Sequence, residues 1–97
     1  MMSATVTIHA VRRYAERALR IPVPETLDDV AAMHDLEGRG VDLDAIRDRL
    51  HRACDRAADQ GAIGVKFDNV RARLRDGTVT TVLEKCGPGH VYGRALQ

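Results

Sequence analysis

The chain has 97 residues, of which 44% are hydrophobic and 30% are charged, and its formal net charge is +1. This length predicts one domain over residues 1–97, with residues 86–97 as a tail or flap. The near-neutral net charge argues against a strong electrostatic attraction of the whole protein to nucleic acid. Because no apolar run approaches the roughly 20 residues of a membrane span, and the N-terminus lacks the pattern of a secretory signal, we expect a cytoplasmic protein with no membrane partner.

The first quarter of the chain predicts a short strand and a helix. Residues 5–9, Thr-Val-Thr-Ile-His, alternate polar and apolar side chains, which indicates a strand with Val6 and Ile8 facing inward. Apolar residues then recur at helical spacing, which predicts a first helix from residue 9 or 10 to about residue 20. Two prolines disfavour helix in the residues before them, so residues 21–25 should form an extended connection.

Two further helices are predicted in the middle of the chain. Thr26 and Asp29, three residues later, resemble a capping box that begins the second helix. Gly38 is expected to supply the left-handed residue that ends it. Asp42 is placed to cap a third and longest helix over about residues 43–60, which Gly61 should close. Charges of alternating sign along its outer face are typical of a solvated surface.

The second half predicts an antiparallel meander over residues 62–67, 70–75 and 78–85. Asp76-Gly77 lies between two alternating runs, and this dipeptide suits the two positive-φ positions of a tight hairpin turn. Alternation assigns these side chains to one apolar face: Ile63, Val65, Phe67, Val70, Ala72, Leu74, Val79, Thr81 and Leu83. The order β-α-α-α-β-β-β predicts an α+β fold with three helices packed on one face of a mainly antiparallel sheet.

The opposite face of this sheet is predicted to carry mostly cations, namely Lys66, Arg71, Arg73 and Lys85. Cross-strand neighbours stand about 5 Å apart, so these side chains could line a groove for the phosphodiester backbone of RNA. They could equally keep the sheet edges from pairing with another chain. Base stacking is poorly supported, because the chain has only two tyrosines and one phenylalanine.

His9, Arg13 and Arg17 are four residues apart along the first predicted helix. Side chains at this spacing project in nearly the same direction and would form one basic ridge. Such a ridge could hold a phosphate between two guanidiniums while the imidazole, which titrates near neutral pH, moves a proton. The alternative is structural, with a histidine tied to the backbone at the strand-to-helix junction and arginines that point into solvent.

The C-terminal segment offers a third set of functional side chains. His90, Tyr92 and Arg94 alternate there and would face one way in an extended chain. A flexible end with incidental polar residues is the alternative, and the sequence alone favours it.

The two cysteines give no sign of a metal site. Cys54 and Cys86 show no Cys-x-x-Cys spacing, and no histidine pair stands at ligand spacing. We therefore expect a buried free thiol at Cys54, no metal and no cofactor.

Two segments resemble a known family. A short strand that ends in His9-Ala10, the arginines at 13 and 17 on the helix after it, and the late hairpin Asp-Gly-Thr-Val-Thr-Thr-Val at residues 76–82 are similar to the small DUF4258-type proteins. Those proteins are placed in the BECR fold, named for the barnase, EndoU, colicin and RelE-like ribonucleases and toxins. The resemblance covers about residues 6–17 and 70–85.

The resemblance implies metal-independent cleavage of RNA, in which a 2′-hydroxyl attacks the adjacent phosphate and cationic side chains stabilise the developing charge. It implies that His9 is the acid or base and that Arg13 and Arg17 hold the phosphate. Thr81 would be the sheet residue that matches the family's Thr-Val step. Either His90 or Tyr92 would be the C-terminal partner that RelE-like toxins often have, and an antitoxin would be the protein partner.

A different class of function stays open beside this one. A small charged domain without a clear catalytic cluster is also typical of a non-enzymatic binding protein from a phage or mobile element. Such a protein, with anti-CRISPR proteins as the type, would inhibit a host complex through the basic ridge or a sheet edge. A monomer and a homodimer are both compatible with the sequence.

Overall fold

Strands and helices follow one another in the predicted order, and the predicted α+β fold is confirmed. The computed structural model describes residues 4–84, so the predictions for Lys85, His90 and Tyr92 lie outside the described residues. The elements are β1 (Thr5–Val6), α1 (Ile8–Arg17), α2 (Asp29–Gly38), α3 (Leu43–Asp59), β2 (Gly64–Phe67), β3 (Val70–Arg75) and β4 (Thr78–Glu84). None of these helices is long and apolar enough to cross a membrane.

The four strands form one sheet in the order β1-β4-β3-β2. β1 pairs with β4 in parallel, and the other pairings are antiparallel, as predicted for the meander. The Asp76-Gly77 turn has φ angles of 50° and 78°, the two positive values that a tight hairpin requires. A second two-residue turn of this kind, Asp68-Asn69, joins β2 to β3 with φ angles of 50° and 63°.

The core lies between the helices and one face of the sheet, here called the inner face. β3 contributes Val70, Ala72 and Leu74 to it, as the alternation predicted. The helices contribute Val11, Tyr14, Ala15, Leu36, Ile46, Leu50 and Cys54, and the Cys54 thiol is a buried free cysteine as predicted. The other side of the sheet is called the outer face below.

A β-bulge corrects the predicted pattern of β4. Arg73 pairs with Thr81, whereas the next residue, Leu74, pairs with Val79, so β4 has one extra residue at Thr80. An extra residue reverses the alternation of every side chain beyond it. The buried residues of β4 are therefore Val79 and Val82, and the prediction that Thr81 and Leu83 face the core is wrong.

The N-terminal boundary also differs from the prediction. Thr7 caps α1, because its Oγ1 accepts a hydrogen bond from the Ala10 amide at 3.1 Å. Ile8 therefore begins the helix and is 37% exposed, instead of facing inward from a strand. The helix ends at Arg17, before the predicted position, and Arg20 then adopts a left-handed φ of 60°. Ile63 precedes β2 and is 72% exposed, although it was also predicted to face inward.

The boundaries of α2 and α3 are set by aspartate caps. Asp28, and not Thr26, caps α2 by accepting a hydrogen bond from the Ala31 amide at 2.8 Å. Gly38 remains helical, and the left-handed residue after α2 is Gly40 with φ 85°. Asp42 caps α3 and Gly61 follows it with φ 75°, and both of these predictions are confirmed.

Candidate nucleic-acid and catalytic site on the first helix

The imidazole of His9 is held at the protein surface by a carboxylate. Its Nδ1 lies 3.1 and 3.3 Å from the two carboxylate oxygens of Asp29, the first residue of α2. The His9 side chain is 38% exposed, and Nε2 makes no hydrogen bond within residues 4–84. A carboxylate on Nδ1 fixes the ring orientation and leaves Nε2 as the basic nitrogen of the neutral imidazole.

The Asp29 carboxylate is itself positioned by a buried arginine of α1, Arg12. Arg12 is only 4% exposed, and its Nη1 donates to Asp29 at 3.1 Å while its Nε donates to Glu16 at 3.2 Å. Burial alone would raise the pKa of Asp29, but the hydrogen bonds from Arg12 and His9 outweigh it and hold that pKa below its usual value. Asp29 is therefore ionised at neutral pH.

Two other predicted site residues, Arg13 and Arg17, line one groove of about 410 Å³. The other residues that line it are Glu16, Arg20, Ile21, Pro22, Val23, Glu25 and, at the end of β4, Glu84. Arg13 donates to Glu16 at 2.6 Å, and Arg20 lies 3.6 Å from Glu84. This volume falls within the range of about 300–1,000 Å³ typical of ligand pockets.

Arg17 differs from the other two arginines of the groove. Its Nη1 donates to the backbone carbonyl of Val82 at 2.8 Å, which anchors the half-buried side chain to β4. Within residues 4–84 no carboxylate pairs with it, so its charge is not neutralised there. A guanidinium with fixed orientation and an unpaired charge is suited to binding a phosphate.

His9 does not line this groove, but it lies close to it along α1. It precedes Arg13 by one helical turn, a spacing at which neighbouring side chains stand about 5–6 Å apart. The ridge therefore places an oriented imidazole at one end and a groove lined by arginines at the other. Proton transfer and phosphate binding are the chemistry that this arrangement can support.

The predicted cations of the sheet lie on the outer face, away from this ridge. Lys66 pairs with Arg71, and Arg73 pairs with Thr81, so all four residues point to the side opposite α1. The exposed members are Lys66 and Arg73, whereas Arg71 is only 8% exposed. The structure therefore does not bring Thr81 together with the helix residues that the resemblance grouped with it, because the sheet separates them.

A second charged cluster, which the sequence did not indicate, joins α1, α3 and the turn between β2 and β3. Asp68 accepts hydrogen bonds from the Tyr14 hydroxyl at 2.6 Å and from two nitrogens of Arg49 at 2.8 and 2.9 Å. Tyr14 stacks on Phe67 with ring centroids 6.2 Å apart, and the Arg49 guanidinium lies 5.2 Å from the Phe67 centroid. Every polar group named here has a partner, so we interpret the cluster as structural.

Comparison with known proteins adds no relative. No protein-family model, no curated protein sequence and no solved structure matches the chain. Among residues 4–84, no three histidine, cysteine, aspartate or glutamate side chains are grouped so that they could hold a metal ion. The α1 ridge and its groove are thus the features of the described chain that bear most directly on function.

Proposed function

We propose that this protein binds RNA and cleaves it as a toxin-type endoribonuclease of the BECR kind, with the α1 ridge as its active site. The observation that carries the proposal is the His9 imidazole, which Asp29 holds through Nδ1 one helical turn before Arg13. A surface histidine oriented by an ionised carboxylate is an arrangement that supports general acid–base catalysis. Arg17, with no carboxylate partner in the described chain, supplies the charge that a phosphodiester needs.

The reaction follows from these roles. His9 Nε2 takes the proton of the ribose 2′-hydroxyl, the 2′-oxygen attacks the adjacent phosphorus to form a 2′,3′-cyclic phosphate, and the bond to the 5′-oxygen breaks. The 5′-oxygen takes a proton from water, and the His9 imidazolium gives its proton to the hydroxide that remains. The guanidiniums of Arg13 and Arg17 stabilise the charge that develops on the phosphate oxygens. The ionised Asp29 stabilises the imidazolium that forms. No residue of the outer sheet face, Thr81 included, takes part in this step.

A double substitution tests the proposal. H9A/R13A should abolish both the cleavage of RNA by the purified protein in the presence of EDTA and the growth arrest of a bacterium that expresses it. The matched control is H34A/R47A, which removes an exposed histidine and an arginine from α2 and α3. Circular dichroism should show that both variants fold. Cleavage that survives in H9A/R13A contradicts the assignment.

One observation favours the second candidate, a non-enzymatic protein that binds and inhibits a host complex. Glu16, Glu25 and Glu84 line the same groove as the arginines, and carboxylates repel phosphate. A groove of mixed charge also suits a protein surface with complementary charges. Growth arrest or inhibition of a host complex without any RNA cleavage would favour this candidate.

A further inference from the structure

A second groove shares Ile21 with the groove of Arg13 and Arg17 but is lined mainly by apolar side chains. Its volume is about 500 Å³, within the range of about 300–1,000 Å³ typical of ligand pockets. The apolar and aromatic residues that line it are Tyr14, Leu19, Ile21, Val41, Ala45 and Ile46. Leu19 is 46% exposed, so part of this apolar surface remains in contact with water. Covering such a surface with an apolar ligand is favourable.

Arg49 is the oriented hydrogen-bond donor of this second groove. Its Nε and Nη2 donate to the two carboxylate oxygens of Asp68 at 2.8 and 2.9 Å, and its guanidinium lies 5.2 Å from the Phe67 centroid. Within residues 4–84, Nη1 makes no hydrogen bond. An arginine already held by a carboxylate and a ring loses little further freedom when its remaining N–H groups bind a ligand. The structural contacts of Arg49 therefore leave Nη1 available to accept a ligand's oxygen as its partner.

The charges around the second groove favour a ligand without a charge of its own. The carboxylate of Asp42, the N-cap of α3, lines the groove together with the Arg49 guanidinium. An anion that approaches Arg49 comes close to the Asp68 carboxylate already bound there, and a cation is repelled by Arg49 itself. Either ion also loses water among apolar side chains, which costs more free energy than the transfer of a neutral polar group.

We propose that this second groove binds a small neutral molecule that has an apolar body and a carbonyl oxygen, with Arg49 Nη1 donating a hydrogen bond to that oxygen. Amides, esters and ketones with an aromatic or branched aliphatic body have this chemistry. The site uses neither His9 nor the arginines of the α1 ridge. It is therefore a binding site beyond the proposed function, and it does not depend on RNA cleavage.

Three compounds with one apolar body test the choice of head group. Phenylacetamide, phenylacetate and phenethylamine carry the same ring with a neutral, an anionic and a cationic head group at neutral pH. Titrations followed by ¹H–¹⁵N NMR measure the affinity of each compound and show which backbone amides shift. Phenylacetamide should bind with a Kd of about 1 mM, as expected for a ligand of its size, and should shift the amides of Leu19, Val41 and Ala45. The two ions should bind at least about 5-fold more weakly.

Two variants and a control test the groove itself. A45F adds a ring to an exposed residue of α3 that lines the groove, and it should abolish the binding of phenylacetamide. R49K keeps a cation for Asp68 but loses the second guanidinium nitrogen, so it should weaken this binding by about 2- to 10-fold, the contribution of one hydrogen bond. H34F adds the same ring at an exposed position of α2 outside the groove, and it should bind phenylacetamide as the wild-type protein does.

Several results would overturn this proposal. They are the absence of shifts at these amides with phenylacetamide, equal affinity for the three compounds, binding that A45F retains, and an affinity that R49K leaves unchanged. Shifts of the same amides on dilution of the protein alone would place a second copy of the chain in the groove, and this result would also overturn it.

Discussion

Replacement of Arg12 by alanine is the most informative test of how this fold is held together. The Arg12 side chain is 5% exposed and donates to two carboxylates and two backbone carbonyls. Removing one partner of a buried ion pair costs about 3–5 kcal/mol, because the other charges stay desolvated. The Asp29 side chain is 32% exposed and can be rehydrated in R12A. We therefore expect a loss at the low end of this range, about 3 kcal/mol. For a domain of this size the loss lowers the Tm by about 12–24 °C.

Urea unfolding followed by circular dichroism measures this loss, and two other variants test its cause. R52A removes a side chain that is 75% exposed and pairs with Asp48 on the surface of α3, so it should change the free energy of unfolding by less than about 1 kcal/mol. R12K should recover only part of the loss, because an ammonium cannot reproduce the fork of a guanidinium. If R12A costs no more than R52A, the Arg12 contacts do not stabilise the fold.

Two other groups give predictions that different assays check. The hydrogen bonds from Arg49 and Tyr14 hold the pKa of Asp68 below its usual value. Ionised Asp68 therefore stabilises the folded protein above about pH 4, and this contribution is lost as the pH falls further. Burial and the bond to Asp68 raise the pKa of Tyr14 to about 12, so that stabilisation is lost as the pH rises from about 10. D68N should therefore remove the contribution of Asp68 to the acid limb of a plot of unfolding free energy against pH, and an unchanged acid limb would contradict this. The alkaline limb should be reduced only in part, because Tyr14 remains buried in D68N. Burial raises the pKa of the Cys54 thiol to about 11, so in a C86S variant iodoacetamide at pH 8 should label it only after unfolding. Labelling of the folded protein at the rate of the unfolded chain would show that the thiol is not buried.

Local signals in the sequence predicted the elements well where the cause of each element is local. The Asp76-Gly77 turn and the Asp42 cap depend on residues within a few positions, and the structure confirms both. The alternation along β3 likewise predicted its buried face correctly, because Val70, Ala72 and Leu74 all face the core.

The bulge in β4 shows why the pattern of a strand is not enough. The run Thr78-Val79-Thr80-Thr81 contains three threonines, which are neutral between the two faces, so the sequence does not reveal which residue is extra. The register with β3 decides it, and this places Val82 on the inner face beside Ala72. Thr81 lies on the outer face for this reason alone. The sequence motif that grouped Thr81 with the residues of the first helix does not reveal that the sheet separates them.

The sequence predicted the ridge of the candidate site but not the groups that hold its side chains in place. Helical spacing alone places His9, Arg13 and Arg17 on one side of α1. Their partners Asp29 and Val82 are 20 and 65 residues away, so only the packed structure reveals them. The pattern of charges does not identify the buried arginine either. Arg12 is one of four arginines between residues 12 and 20, and nothing in the sequence distinguishes it from the other three.

The position of Arg12 links the stability of the fold to the candidate function. A buried charge is weak evidence for stability, since apolar replacements of buried ion pairs are often as stable. What an apolar residue cannot do is hold Asp29 ionised beside His9 and fix both ends of the turn from Pro24 to Leu27. The carboxylate that orients His9 and the turn that borders the groove thus share one buried guanidinium. The contacts of Arg12 therefore join the His9 side of the proposed site and the connection between α1 and α2 in a single structural unit.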